Sequence, residues 1–231
     1  MSASIPLEVV DRDVDNVVIP ISKGFNVSGR IVIEGATAAN PGPDVKTLRV
    51  TVRSDPPTGV LADPGTAGAD GTFSLKSLYA GNYLVSVNPP LQNAYVKSIQ
   101  FENRDILATG VRITESPSSP ITVIISASPG IFTGAVLNEK QEPVPNAIVV
   151  LVPETAQRAR TNLFKNVTSD ASGKFRIPAV TPGQYKLFAW EEVENSAWLN
   201  ADFMRAREER GLPVQIKEGE TLTVTLPRIP N

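Results

Sequence analysis

The chain repeats itself at a spacing near 102 residues, and this constrains its fold more than any single motif. Gly71-Thr72-Phe73-Ser74-Leu75 is answered by Gly173-Lys174-Phe175-Arg176-Ile177, and Ala80-Gly81-Asn82-Tyr83 by Pro182-Gly183-Gln184-Tyr185. Val27-Ser28-Gly29 corresponds to Phe132-Thr133-Gly134, Leu48 to Val52 to Ile148 to Val152, and Ile121 to Ile125 to Leu222 to Leu226. The matches keep their order while their offsets drift slightly. Two tandem copies of one unit, with insertions confined to loops, give that pattern.

Within each copy the period is two. Leu48, Val50 and Val52 alternate with Arg49, Thr51 and Arg53, and Leu222, Val224 and Leu226 alternate with threonines. Such strands bury one face and wet the other, as antiparallel sheets do. Val 26 and Ile 16 outweigh Leu 16, which suits a pleated surface better than a helix. Ala69-Asp70-Gly71 and Ala171-Ser172-Gly173 fall between strands, where glycine supplies the positive φ of a tight turn. The expected fold is all-β: two tandem Greek-key β-sandwiches of about seven strands each, over 24–128 and 129–231, because facing sheets bury the alternating apolar sets. Ala127-Ser128-Pro129-Gly130 is a short junction between them. One short helix is expected in the second copy, capped by Asn200, running through Asp202 to Glu209 and ended by Gly211.

Residues 1–23 read as the last hairpin of a preceding repeat. Leu7-Glu8-Val9-Val10, a polar gap, and Val17-Val18-Ile19-Pro20-Ile21 resemble the tail of each copy, which suggests a piece of a longer array. Val17, Val18, Ile19 and Ile21 are the candidate assembly strand, to be paired in cis or with another copy of the chain.

Composition excludes several classes. His 0 and Cys 0 rule out Ser-His-Asp and Cys-His machinery, disulfides and the usual zinc sites. Lys+Arg 22 against Asp+Glu 24 leaves a net charge of -2, with no basic field for nucleic acid or anionic lipid. No apolar run is long enough to span a membrane, and Met1-Ser2-Ala3-Ser4 begins no visible signal peptide.

A Gly-containing first strand (Val27-Ser28-Gly29-Arg30, Thr133-Gly134-Ala135-Val136) precedes Pro143-Val144-Pro145-Asn146-Ala147. Thr168 to Phe175 and Val180-Thr181-Pro182-Gly183-Gln184-Tyr185 follow. This series resembles the carboxypeptidase regulatory-like domains, relatives of the collagen-adhesin B-type and transthyretin-like modules. The second copy matches better, since the first lacks the Pro-Asn-Ala entry. The resemblance implies small Greek-key sandwiches serving as spacers, stalks or binding modules in secreted or surface bacterial proteins. Some relatives form a Lys–Asn isopeptide bond. Here Val27 to Ile33 and Phe132 to Leu137 hold no lysine, and Ile121 to Ile125 and Leu222 to Leu226 hold no Asn or Asp.

The most distinctive stretch is Trp190-Glu191-Glu192-Val193-Glu194-Asn195-Ser196-Ala197-Trp198, which carries both tryptophans beside three carboxylates. Aromatic platforms flanked by acids bind sugars, and Trp190, Glu192 and Trp198 are the candidate ligand-binding residues for a polysaccharide. The family pattern favours another account, in which loop and helix cover one open end of the sandwich and a tryptophan plugs the core. Paired carboxylates also serve glycoside hydrolysis, but nothing else here supports catalysis. Asp11, Asp13 and Asp15 alternate without the Gly and distant Glu of a calcium loop, and read as a solvated turn. Arg158, Arg160 and Lys165 read as a solvated basic loop. Asn26 and Asn166 fit a short, common glycosylation pattern.

The expectation is a non-catalytic structural or adhesive segment of a bacterial extracellular or surface protein. It uses no cofactor and no metal, and its partners are other copies of itself or neighbouring repeats. A carbohydrate-binding module is the alternative.

Overall fold

The structure, a computed structural model, describes residues 11, 17–18, 23–57 and 62–230. It divides into two compact units. The first holds the described residues of Met1–Glu34, Gly42–Leu91 and Val96–Ile125; the second holds Gly35–Pro41, Gln92–Tyr95 and the described residues of Ser126–Asn231.

The first unit has strands β1 (Phe25–Glu34), β2 (Arg49–Ser54), β3 (Gly65–Thr66), β4 (Thr72–Leu78), β5 (Gly81–Asn88), β6 (Tyr95–Phe101), β7 (Arg104–Asp105), β8 (Val111–Ile113) and β9 (Ile121–Ser126), of which only the end residues Tyr95 and Ser126 group with the second unit. They form two sheets, β3-β2-β5-β8 and β4-β1-β9-β6-β7. The second unit has β10 (Gly130–Leu137), β11 (Ile148–Pro153), β12 (Lys165–Thr168), β13 (Lys174–Val180), β14 (Gly183–Trp190), β15 (Leu212–Ile216) and β16 (Thr221–Pro227). Its sheets are β12-β11-β14-β15 and β13-β10-β16. The all-β sandwich architecture is therefore the one expected. The first unit exceeds the expected seven strands because β6 and β7, a hairpin inserted between β5 and β8, join the sheet beyond β9.

The repeated sequence motifs are repeated structural devices. Both opening strands carry a register shift near their start, between Phe25 and Val27 and between Gly130 and Phe132. Gly71 (φ 80) and Gly173 (φ 73) turn the chain before β4 and β13. Beside them the Asp70 carboxylate accepts from Thr72 N at 3.1 Å, and that of Asp170 from Ser172 N and Lys174 N at 2.8 and 2.9 Å. These side-chain acceptors replace the backbone partners that a tight turn cannot supply.

Between the sheets of the second unit lies an apolar core that includes Phe132, Val149, Leu151, Ile177 and Leu187. Each is fully or almost fully removed from water. Full burial of such side chains stabilises the fold by about 1.5–3 kcal/mol apiece before ordering costs are counted.

Candidate functional site

β11 and β14 are buried on both faces. Because successive strand residues point to opposite sides, Val149 and Leu151 enter the inter-sheet core while Val150 and Val152 leave it. Likewise Tyr185, Leu187 and Ala189 point inward, and Phe188 and Trp190 outward. The outward set forms a second cluster with Trp198, Met204 and Ile229. The covering chain is residues 191–211, which connect β14 to β15 as β6 and β7 connect β5 to β8 in the first unit. It folds as a turn at Ala197–Leu199, a helix α1 (Ala201–Arg205) and a second turn at Glu208–Arg210.

The expected cover over an open end of the sandwich is thus corrected. The segment lies across the outer face of a sheet, and Trp190 fills the cluster under it rather than the inter-sheet core. The expected helix is also shorter. Asn200 caps it as anticipated, accepting from Asp202 N at 2.9 Å and Phe203 N at 3.1 Å. It stops at Arg205, and the Arg207 guanidinium folds back over the Phe203 ring at 4.0 Å from its centre.

Neither tryptophan offers a face to a sugar. Trp190 is 2% exposed and stacks on Phe188 with ring centres 5.3 Å apart and planes at 3°. Phe203 sits tilted at 6.1 Å from it, and Trp198 is 6% exposed. The Trp190 indole N–H has no acceptor among the described residues. Glu192 is exposed and the structure does not join it to either indole. Glu191 accepts from Arg228 Nη1 at 2.7 Å.

The basic loop is likewise not simply solvated. Arg158 Nη2 donates to both oxygens of Glu208, at 2.9 and 2.8 Å, and Lys186 Nζ reaches Glu208 Oε1 at 2.9 Å. The three side chains are only 21 to 32% exposed. Glu208 therefore ties the covering segment to β14 and to the loop after β11. Burial by itself would raise its carboxyl pKa, but the hydrogen bonds and charges of Lys186 and Arg158 outweigh that and hold it below the ordinary value. Burial lowers the Lys165 amine. The groove beside this clamp, lined by Glu154, Thr155, Gln184 and Pro213 among others, is a shallow space of about 470 Å³.

The last strand of each unit differs in its surroundings. β9 is flanked by β1 and β6, whereas β16 has β10 on one side and no strand on the other among the described residues. β16 runs parallel to β10, Gly134 opposite Val224. Ile121 and Val123 of β9 are fully buried. The matching Leu222 and Val224 of β16 are only partly buried.

The family model of the carboxypeptidase regulatory-like domain matches residues 131–227. Residues 131–227 are a carboxypeptidase regulatory-like domain. Among curated proteins none matches the sequence. Among solved structures the chain is similar to the streptococcal ancillary pilin, at 14% identity over 97% of this chain and 70% of that one, with a TM-score of 0.37. It is similar to the minor pilin of Streptococcus agalactiae at 14% identity, over 87% of this chain and 95% of that one, with a TM-score of 0.35. It is also similar to the Bacillus anthracis TIE protein at 14% identity and a TM-score of 0.31, over 89% of this chain. The chain spans about a third of that protein, 34% of its length.

The matched residues thus include both tryptophans, the Glu208 clamp and β16, whereas Ile229 of the tryptophan cluster lies just beyond them. Of the other candidate residues, Val17 and Val18 lie outside any strand and are 42% and 80% exposed. Ile19, Ile21, Asp13 and Asp15 lie outside the described residues, and Asp11 is exposed. Asn26 and Asn166 are exposed. Among the described residues no group of three acidic side chains is placed to hold a metal, and no helix is long and apolar enough to cross a membrane.

Proposed function

We propose that the chain is a non-catalytic structural or adhesive segment of a bacterial extracellular or surface protein, and that copies join through the N-terminal strand, Val17 to Ile21. One observation carries the reading: the same sandwich is built twice, and the second copy leaves the edge of its last strand unpaired among the described residues. Strand edges invite pairing with other chains, and head-to-tail contacts that do not close produce filaments. The buried tryptophans remove the main argument for a sugar-binding surface.

Sedimentation velocity of the full chain over a range of concentrations tests this, beside the full chain carrying Ile19→Asp and Ile21→Asp. Larger species that grow with concentration are expected, and the double substitution abolishes them. A wild-type chain that stays monomeric at every concentration overturns the proposal, as does assembly that the aspartates leave untouched.

A further inference from the structure

The two units solve the edge of their last strand differently, and the difference has a price in exposed apolar surface. In the first unit β6 lies against β9 and carries Ile99 and Phe101, both buried. In the second unit the connection at the same point of the topology was used to cover the other sheet. Leu222 and Val224 are left partly exposed where Ile121 and Val123 are fully shielded. No strand pairs with this edge of β16 among the described residues, and in the first unit β6 lies at the corresponding edge of β9.

Resting on the assembly reading above, we infer that the free edge of β16 receives residues 17–21 of a second copy of this chain. The pattern of that segment fits the place. In an extended strand Val17, Ile19 and Ile21 share one face, as Ile99 and Phe101 do in β6, and Val18 and Pro20 share the other. Backbone N–H groups also alternate between the two edges of a strand. With Ile19 and Ile21 bonded to β16, Pro20 directs its missing N–H outward, which is where proline is tolerated. The outer edge of the donated strand then keeps the Val18 N–H but has none at Pro20, which disfavours pairing with a further strand there.

The chain has no cysteine, so single cysteines report this contact without background. Full-length chain with Val18→Cys is mixed with full-length chain, distinguished by a mass tag, carrying Thr221→Cys, Thr223→Cys or Thr225→Cys. These threonines are exposed and alternate with the inward residues, so they share the outer face with Val18 of the donated strand. Neighbouring strands hold paired Cα atoms at about 4.5–5.5 Å, within the range a disulfide spans. Mild oxidation is expected to give the mixed dimer with at least one member of the threonine series, and adding Ile21→Asp to the donor removes it. Controls carry Asn166→Cys on β12 or Gln215→Cys on β15, the edges of the other sheet. A mixed dimer at either control position, or assembly without any cross-link to β16, overturns the edge assignment and leaves the assembly reading standing. A chain that does not associate overturns both.

Discussion

The ring of Phe175 occupies the space in which a side chain on Gly134 would stand. The two residues are register partners across β10 and β13, and a Cβ built on Gly134 would meet Phe175 Cε1 at 2.9 Å and collide with the Val224 carbonyl oxygen. The same arrangement recurs between Gly29 and Phe73, partners across β1 and β4. The Gly and Phe positions noticed as separate pieces of the sequence repeat are thus one device, a missing side chain that lets an aromatic ring lie flat on the backbone. Gly134→Ala is expected to cost about 3 kcal/mol or more, at the upper end for overpacking, because one of the obstructing atoms is backbone. Urea unfolding checks it. A loss below about 0.5 kcal/mol, within the range of ordinary surface changes, contradicts the arrangement.

Tyr185 illustrates a second repeated device with a pH signature. Its hydroxyl donates to the Thr181 carbonyl at 2.8 Å, and Tyr83 donates to the Tyr79 carbonyl at the same 2.8 Å. Burial pushes the Tyr185 hydroxyl up to about 12, with Arg160 opposing slightly. An acid whose folded pKa is raised stabilises the fold fully below its unfolded value, near 10, and loses that contribution as pH rises toward 12. Tyr185→Phe removes the hydrogen bond at a cost of about 1 kcal/mol and flattens the stability profile between those pH values. Denaturation series at pH 8 and at pH 11 compare the two chains. Equal slopes for wild type and variant would contradict the role given to Tyr185.

The Glu208 clamp predicts the opposite slope. With its carboxyl held below the ordinary value, its contribution is present above about pH 4.5 and is lost as pH falls through the folded value. Glu208→Gln keeps the shape, leaves Arg158 and Lys186 without their anion, and is expected to cost about 1 kcal/mol at neutral pH. The difference between wild type and variant should shrink in acid. Hydrogen exchange at α1 and the following turn should quicken in the variant, since the clamp fastens that segment. Unchanged exchange there would show that the segment is held by its apolar contacts alone.

The repeat, the turns and the alternating strands were legible in the sequence because each is set by local spacing. The covering segment was legible only in part, although its signal was present. Arg49, Thr51 and Arg53 break the apolar run of β2 and mark one wet face, whereas Ile148-Val149-Val150-Leu151-Val152 has no polar interruption and so requires burial on both faces. Reading that run as equivalent to β2 hid the second cluster and sent the tryptophans to the wrong side of the sheet. The β6 position was not legible at all. Its pairing with β9 joins residues on either side of the β7–β8 region, and nothing local in Tyr95 to Phe101 says which edge it will take. The salt-bridged state of Arg158 was hidden for the same reason, since Glu208 lies 50 residues away.

The tryptophan cluster makes the sharpest prediction about binding. Trp190 lies between Phe188 and Phe203, and Trp198 closes the same cluster with Met204. Indoles so enclosed emit at short wavelength, and a polysaccharide cannot stack on them while residues 191–211 stay in place. Titration with glycans is therefore expected to leave the emission of the native chain unchanged. Trp198→Ala empties a large volume and is expected to cost roughly 3–5 kcal/mol, with the remaining Trp190 emission moving to longer wavelength as the cover loosens. Conversely, a saturable shift of native emission with a glycan would mean that the cover lifts to admit a ligand, and would restore Trp190, Glu192 and Trp198 as a sugar site.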